Sequence, residues 1–364
     1  MVVVTALFWL CFAALAWTHL LYPIAVRLGA AIRTRPVRKD DALLPSVALI
    51  VAAYDEESVI EQRIANLRAL DYPADKVELV VTSDASTDRT EKLAAAAGAR
   101  VIRNERGGKV AAQNRAVRNT DAEIVAFSDA NCTWQQDALR RLVRNFADPD
   151  VAYVCGRLNV QADDGRNKEG VYWRYELALR ADESRLDSVT GGNGSIYAVR
   201  RSDYVDVDPR FGHDLSFPYL MVQRGRRAVY EPEANSYEKA TPTNEDEYRR
   251  KVRMFEHCWA IVIEGKMLRR LRPLYFVEVL SHRHLRYASG LLHLLLLGLN
   301  IALLGQGTIY AVTLGLQLGL LLAALVGVGV ARYYVLVTWA TVVALVNYLR
   351  RGVPTTWEPA EGTR

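Results

Sequence analysis

The sequence predicts an α/β domain with a mostly parallel sheet and helices on both faces, flanked by transmembrane helices. Residues 1–26 carry no charged side chain, and residues 287–349 carry only Arg332. Between about 40 and 285 the chain is charged and patterned like a globular domain. Within that stretch, apolar runs alternate with amphipathic ones in a βαβαβαβ rhythm.

Taken in order, residues 1–26 are long enough to span a hydrocarbon core of about 30 Å as a helix. Arg27, Arg33, Arg35, Arg38 and Lys39 follow. That bias puts the next domain in the cytoplasm, with the protein in the inner (cytoplasmic) membrane. A cleaved signal peptide is the other reading, but no basic segment precedes the apolar run. A basic linker, 27–43, leads to the globular domain, 44–240.

Ser46–Ala53 is a near-continuous apolar run, as expected of a strand buried on both faces. Glu57–Leu70 has helical spacing. Val77–Ser83 is the second strand, and Thr87–Ala97 a helix with Thr87 or Asp88 as its cap. Ala99–Arg103 is a short strand, Lys109–Arg118 a helix after Gly107-Gly108, Ile124–Ser128 a strand and Gln135–Phe146 a helix. Beyond 150 the pattern loosens. Val151–Val160, Ser195–Arg200 and Ala228–Tyr230 read as strands, Asp163–Lys168 as a polar loop, and Asp214–Arg224 as a helix. Asn244–Leu271 is a basic amphipathic helix within an interfacial region, 241–285. Apolar segments at 287–304, 308–330 and 333–349 give two or three spans within 286–350, before a polar tail, 351–364.

The net charge of +5 comes largely from the juxtamembrane cluster and suits anionic lipid heads; no segment resembles a nucleic-acid module. The four cysteines are far apart and lack metal-ligand spacing, so they read as reduced apolar fillers.

Several strands run straight into acids. Ala53-Tyr54-Asp55-Glu56-Glu57 ends the first, where ligands bind in open α/β sheets. Tyr54 can stack on a base there, or the acids simply suit a helix dipole. Asp84 ends the second strand, as a ligand for a nucleoside or as the start of an Asx-turn. Gly107-Gly108-Lys109 lets backbone approach a phosphate, with Lys109 in the first turn of a helix; as a solvent turn it is commonplace. Asp129-Ala-Asn131 ends the fourth strand and can offer oxygen to a divalent metal, or it caps the next helix. Asp214 can remove a proton from an attacking hydroxyl or cap its helix. Arg250 and Arg253 can neutralise a leaving diphosphate, or face solvent or lipid.

The ordered set SVALIVAAYDEE (46–57), LVVTSDASTD (79–88), GGKVAAQN (107–114), IVAFSDAN (124–131), TGGNGSIYAVRR (190–201) and HDLSFPYLMVQRGRRAVYEPEA (213–234) resembles the family 2 glycosyltransferases of the GT-A fold. The likeness covers about 44–285, and the apolar flanks match the integral-membrane members. It implies that Ala53, Tyr54 and Glu56 line a nucleotide pocket, that Asp84 binds the base and that Lys109 lies near the nucleotide. Asp129 and Asn131 stand at the family's Asp-x-Asp motif for Mg²⁺ or Mn²⁺, Asp214 at its catalytic base, and Gly192 and Asn193 at the acceptor entrance.

Three departures stand out. The second metal position is neutral Asn131, His213 replaces an acid, and Arg250-Lys-Val-Arg253-Met254 lacks the Gln and Trp of the processive synthases. The expectation is an inverting transferase moving a sugar, from UDP by default, to a lipid, lipid-linked glycan or polysaccharide, with assembly or export partners conceivable. A catalytically silent sugar-nucleotide-binding subunit is the alternative. A transport component is a third reading, but so few and so apolar spans argue against a polar pathway.

Overall fold

The computed structural model describes residues 1–161, 170–239 and 244–356. The loop expected at Asp163–Lys168 lies outside the described residues. The chain divides into two units. One comprises Ala30–Pro242, Arg269–Tyr275 and Pro354–Arg364; the other comprises Met1–Gly29, Thr243–Leu268 and Phe276–Val353.

The first unit is built on an eight-stranded sheet. Its strands are β1 (Val47–Ala53), β2 (Val77–Ser83), β3 (Arg100–Arg103), β4 (Ile124–Asp129), β5 (Cys132–Trp134), β6 (Val151–Gln161), β7 (Tyr197–Arg200) and β8 (Arg227–Lys239). They lie in the order β3-β2-β1-β4-β7-β6-β8-β5. The first four run parallel; β7 runs antiparallel to β4 and β6, and β5 antiparallel to β8, so the sheet is mixed. Every residue of β1 is buried, as a central parallel strand requires. Alternate side chains feed two apolar layers. Leu49 and Val51 pack with Ile60, Ile64 and Leu142 on one face. Ala48 and Ile50 pack with Phe127, Tyr197 and Phe217 on the other.

The helices Ile60–Arg68, Thr90–Ala96 and Lys109–Arg118 fall where expected. The N-cap of the second is Arg89 rather than Thr87 or Asp88, although Asp88 just before it accepts the Thr90 amide at 2.9 Å. The helix expected at Gln135–Phe146 is shorter, because Cys132–Trp134 forms a strand and Ala138–Val143 then tightens into a 3-10 turn at Arg144–Ala147. Val171–Leu186 is a helix that the pattern did not announce. Its inward face includes Arg180, Glu183 and Ser184, so polar residues interrupt the apolar stripe. β8 is much longer than the Ala228–Tyr230 expected. The register with β6 jumps from Tyr230 to Asn235, and the intervening Glu231-Pro-Glu segment hides the strand. Glu231 is fully buried beneath Lys39, Arg144 and Asn145, which all donate to it.

The second unit is helical. Four described helices are long and apolar enough to cross a membrane: Val2–Ile32, Ser289–Gln306, Thr308–Leu325 and Gly329–Arg351. The last break falls at Val326–Val328, where Gly327 has φ +90°, and Arg332 lies inside the final helix rather than at its boundary. Polar side chains tie these helices together. Trp17 Nε1 donates to Ser281 Oγ at 2.8 Å, and Asn300 links Thr313 and Gln317 at 2.7 and 2.6 Å. The basic helix spans Asn244–Glu264, ending earlier than expected. Its Trp259 donates to the Thr341 carbonyl, and its Glu256 accepts from Asn347 and Arg351.

Candidate functional site

The site lies at the carboxyl edge of the parallel strands. Register places Ala53 beside Ser83 and Ala52 beside Asp129, so Ala53, Asp84 and Asp129 share one rim. Asp55 and Ala85, just past β1 and β2, adopt φ of 52° and 63°. Left-handed backbone at non-glycine residues is a strain that concentrates at functional sites.

Asp84 is 1% exposed. Its carboxylate accepts from the Gly107 and Gly108 amides at 2.8 and 2.9 Å and from Arg106 Nη1 at 2.8 Å. The acid therefore fixes the glycine turn. Gly108 has φ +91°, and a Cβ there would fall 1.8 Å from the Thr355 carbonyl oxygen, so only glycine fits. Arg106 also covers the Tyr54 ring, 3.2 Å from its centroid. Glu56 is buried, and its amide donates to Thr90 Oγ1. Sequence reasoning missed Arg106, although its position just before the two glycines was a usable signal.

Lys109 begins the helix after that turn, and its Nζ donates to Asp129 Oδ1 in a close ion pair. Burial works against the charge on Lys109, but Asp129 and, further off, Asp214 outweigh it and raise its pKa. Below the strand end, Arg63 Nη2 donates to Ser128 Oγ while its guanidinium lies over Trp134. Asn131 donates through Nδ2 to Glu238 Oε1 at 3.4 Å. Gly194 leaves room beside the pair: a Cβ there would lie 3.4 Å from Lys109 Nζ and 3.9 Å from Asp129 Oδ2.

The described residues contain no cluster of three or more His, Cys, Asp or Glu able to hold a metal. A carboxylate and an amide oxygen are nonetheless hard donors of the kind Mg²⁺ and Mn²⁺ take, and such ions commonly complete their shell with substrate phosphates and water. The residues fit a metal held jointly with a phosphate ligand.

Asp214 lies in the first turn of the helix His213–Gln223. Its carbonyl accepts the Gly192 amide at 2.7 Å. A Cβ on Gly192 would fall 2.0 Å from the Tyr153 hydroxyl, which explains the glycine. Arg180, another residue the sequence did not flag, donates to the Gly192 carbonyl at 3.1 Å. Asn193 is a buried brace: Nδ2 donates to the Gly156 carbonyl at 2.6 Å, and Oδ1 accepts from Ser195 and the Ile196 amide.

His213 is the first residue of the same helix. Its ring is buried against Phe217, and Nδ1 pairs with the Tyr197 hydroxyl at 2.8 Å. Burial first, and the Lys109 charge second, push its pKa down to about 3. A neutral ring suits a packing role.

Arg250 and Arg253 belong to the helical unit. Both are half-buried on their helix. Burial, and then Arg250, lower the Arg253 pKa. All four cysteines are buried, and none is in a disulfide.

Residues 48–207 match the model of Glycosyl transferase family 2. A beta-monoglucosyldiacylglycerol synthase of Synechocystis sp. is 33% identical over 213 residues, covering 54% of this chain and 44% of that protein. A poly-beta-1,6-N-acetyl-D-glucosamine synthase of Staphylococcus aureus is 23% identical over 262 residues, covering 65% of this chain and 62% of that protein. The chain thus spans less than two thirds of the length of either relative. A mannosyltransferase of Pyrobaculum calidifontis, solved in complex with GDP-Man and Mn²⁺, shares the fold at a TM-score of 0.76, with 23% identity over 94% of this chain and 99% of that one.

Proposed function

We propose, from the match of residues 48–207 to the family 2 glycosyltransferases, a membrane-integrated enzyme that moves a sugar, with inversion, from a nucleotide-sugar donor to a lipid, lipid-linked glycan or polysaccharide. UDP-sugars are the first donors to try. The observation that carries this reading is the rim itself: Asp129 pairs with Lys109, and Asp214 stands near enough to add to the pull on that lysine's proton. One carboxylate can serve the diphosphate and the other the acceptor.

In the proposed reaction Asp214 takes the proton of an acceptor hydroxyl, whose oxygen bonds to the anomeric carbon. The bond from that carbon to the diphosphate oxygen breaks on the opposite face, and the diphosphate leaves with the electron pair. A divalent ion held by Asp129 and Asn131 would neutralise charge developing on the leaving group. The proposed role of Tyr54, Glu56, Asp84 and Ala53 is to shape the nucleoside pocket, with Asp84 acting through the glycine turn. Gly192 and Asn193 shape the acceptor entrance, and Arg250 and Arg253 assist the diphosphate. The two relatives are named for the synthesis of a glucolipid and of a polysaccharide, which supports a lipid or glycan acceptor. The apolar helices support a membrane location, and the basic residues after the first of them support a cytoplasmic domain.

The test is a screen of UDP-, GDP- and TDP-sugars with Mn²⁺ or Mg²⁺, using protein in nanodiscs with and without membrane lipid extract. Lipid-stimulated release of one nucleotide is expected. Metal-dependent nucleotide binding without release in any combination would overturn the transferase reading in favour of a silent binding subunit.

A further inference from the structure

We infer that Lys109 is the resident counter-ion of Asp129, and that metal and donor load the site by exchanging for its ammonium. This rests on the proposed role of Asp129 as a metal ligand. Asp129 is the one acid of the Asp-Ala-Asn segment, because its second position is the neutral Asn131. Lys109 Nζ already occupies Oδ1 of that acid. The guanidinium of Arg63 adds a second positive charge below the same strand end, through Ser128. In this pairing the carboxylate is electrostatically satisfied.

A divalent cation on Asp129 comes within a few ångströms of the ammonium on Oδ1, and like charges that close repel strongly in a partly buried site. Lys109 therefore gives way as the ion arrives. The means to leave are present. A lysine has a flexible stem and a compact, rotatable head. Gly194 presents no side chain on that flank, where a Cβ would stand 3.4 Å from Nζ. The backbone around the stem stays put, because the Gly107 and Gly108 amides are fixed on Asp84.

The displaced ammonium needs an anion, and the donor's diphosphate is the anion that arrives with the metal. The two ligands consequently help each other. Metal alone leaves the ammonium only the pull of Asp214, whereas metal with a nucleoside diphosphate gives it a new close partner. Lys109 thereby adds its own share to the coupling that direct contact of metal and phosphate supplies.

The experiment is Mn²⁺ titration of the full chain in nanodiscs, by calorimetry or by the electron paramagnetic resonance of free Mn²⁺, with and without UDP. K109M should bind Mn²⁺ alone about tenfold or more tightly than wild type. The same variant should bind UDP more weakly and show smaller Mn²⁺–UDP coupling than wild type. K109R, whose guanidinium can stay forked on the carboxylate, should bind Mn²⁺ alone no better than wild type. If K109M binds Mn²⁺ no more tightly than wild type while D129N abolishes binding, the counter-ion role falls and the metal site stands. If D129N leaves Mn²⁺ binding intact, the metal assignment itself falls, and this inference with it.

Discussion

Asp84 and Asp129 on one side of the site, and Asp214 on the other, are carboxylates in different settings. Arg106 is clamped on Asp84 and Lys109 on Asp129, each from the loop or helix start that follows the third strand. Asp214 makes no ion pair among the described residues. Its helix instead adds His213 and Phe217 to a neutral bed with Tyr153 and Tyr197, which stack and pair with one another. A carboxylate clamped by a cation suits exchange of one charged partner for another. A carboxylate with no cation in contact keeps a lone pair for a proton. The contrast separates binding from proton transfer, and each arm can be attacked alone.

The largest effect should come from D214N. Transfer should fall about 10³-fold, the scale of losing a positioned base, while Mn²⁺-dependent UDP binding stays near wild type. Wild-type turnover in D214N would erase the distinction between the two sides. D129N attacks the other arm and should weaken Mn²⁺-dependent UDP binding roughly 100-fold, measured by calorimetry. Asn193→Ala tests the bracing of the acceptor side. Removing a buried amide that makes three hydrogen bonds should cost about 2–3 kcal/mol, seen as a lower Tm, with UDP affinity unchanged.

The smallest effect tests the neutral bed. His213 has a pKa lowered from 6.5 to about 3 in the folded state, so the unfolded chain binds that proton more readily. Its stabilising contribution is complete above pH 6.5 and is lost as pH falls toward 3. The slope should be about 1.4 kcal/mol per pH unit within that window. His213→Gln should flatten the fall in Tm between about pH 6 and 5. An unchanged slope would move the titration elsewhere.

The sequence made the clamped side readable and left the other side half hidden. β1, β2 and β4 are apolar runs ending in acids, so their edges and the rim residues Asp84 and Asp129 could be read directly. Partnership was not readable. Nothing local says that Asp84 spends its oxygens on Arg106 and the glycines, or that Lys109 lies on Asp129. The second half of the domain buries charge. Glu231 inside β8, and Arg180 and Glu183 inside the helix Val171–Leu186, break the apolar periods that reveal strands and helices. Their partners lie far along the chain, as Lys39 does for Glu231, so local patterning cannot register them.

The four cysteines have a practical consequence. Cys11, Cys132, Cys155 and Cys258 are at most 8% exposed, and burial pushes the Cys132 thiol up. Alkylating reagents attack the thiolate of an accessible cysteine. The native chain is therefore chemically quiet toward them. A single cysteine placed at the exposed Ala74 would be the reactive handle in an otherwise unaltered protein. Its capture by an impermeant maleimide in sealed, oriented vesicles would report which compartment the sheet inhabits.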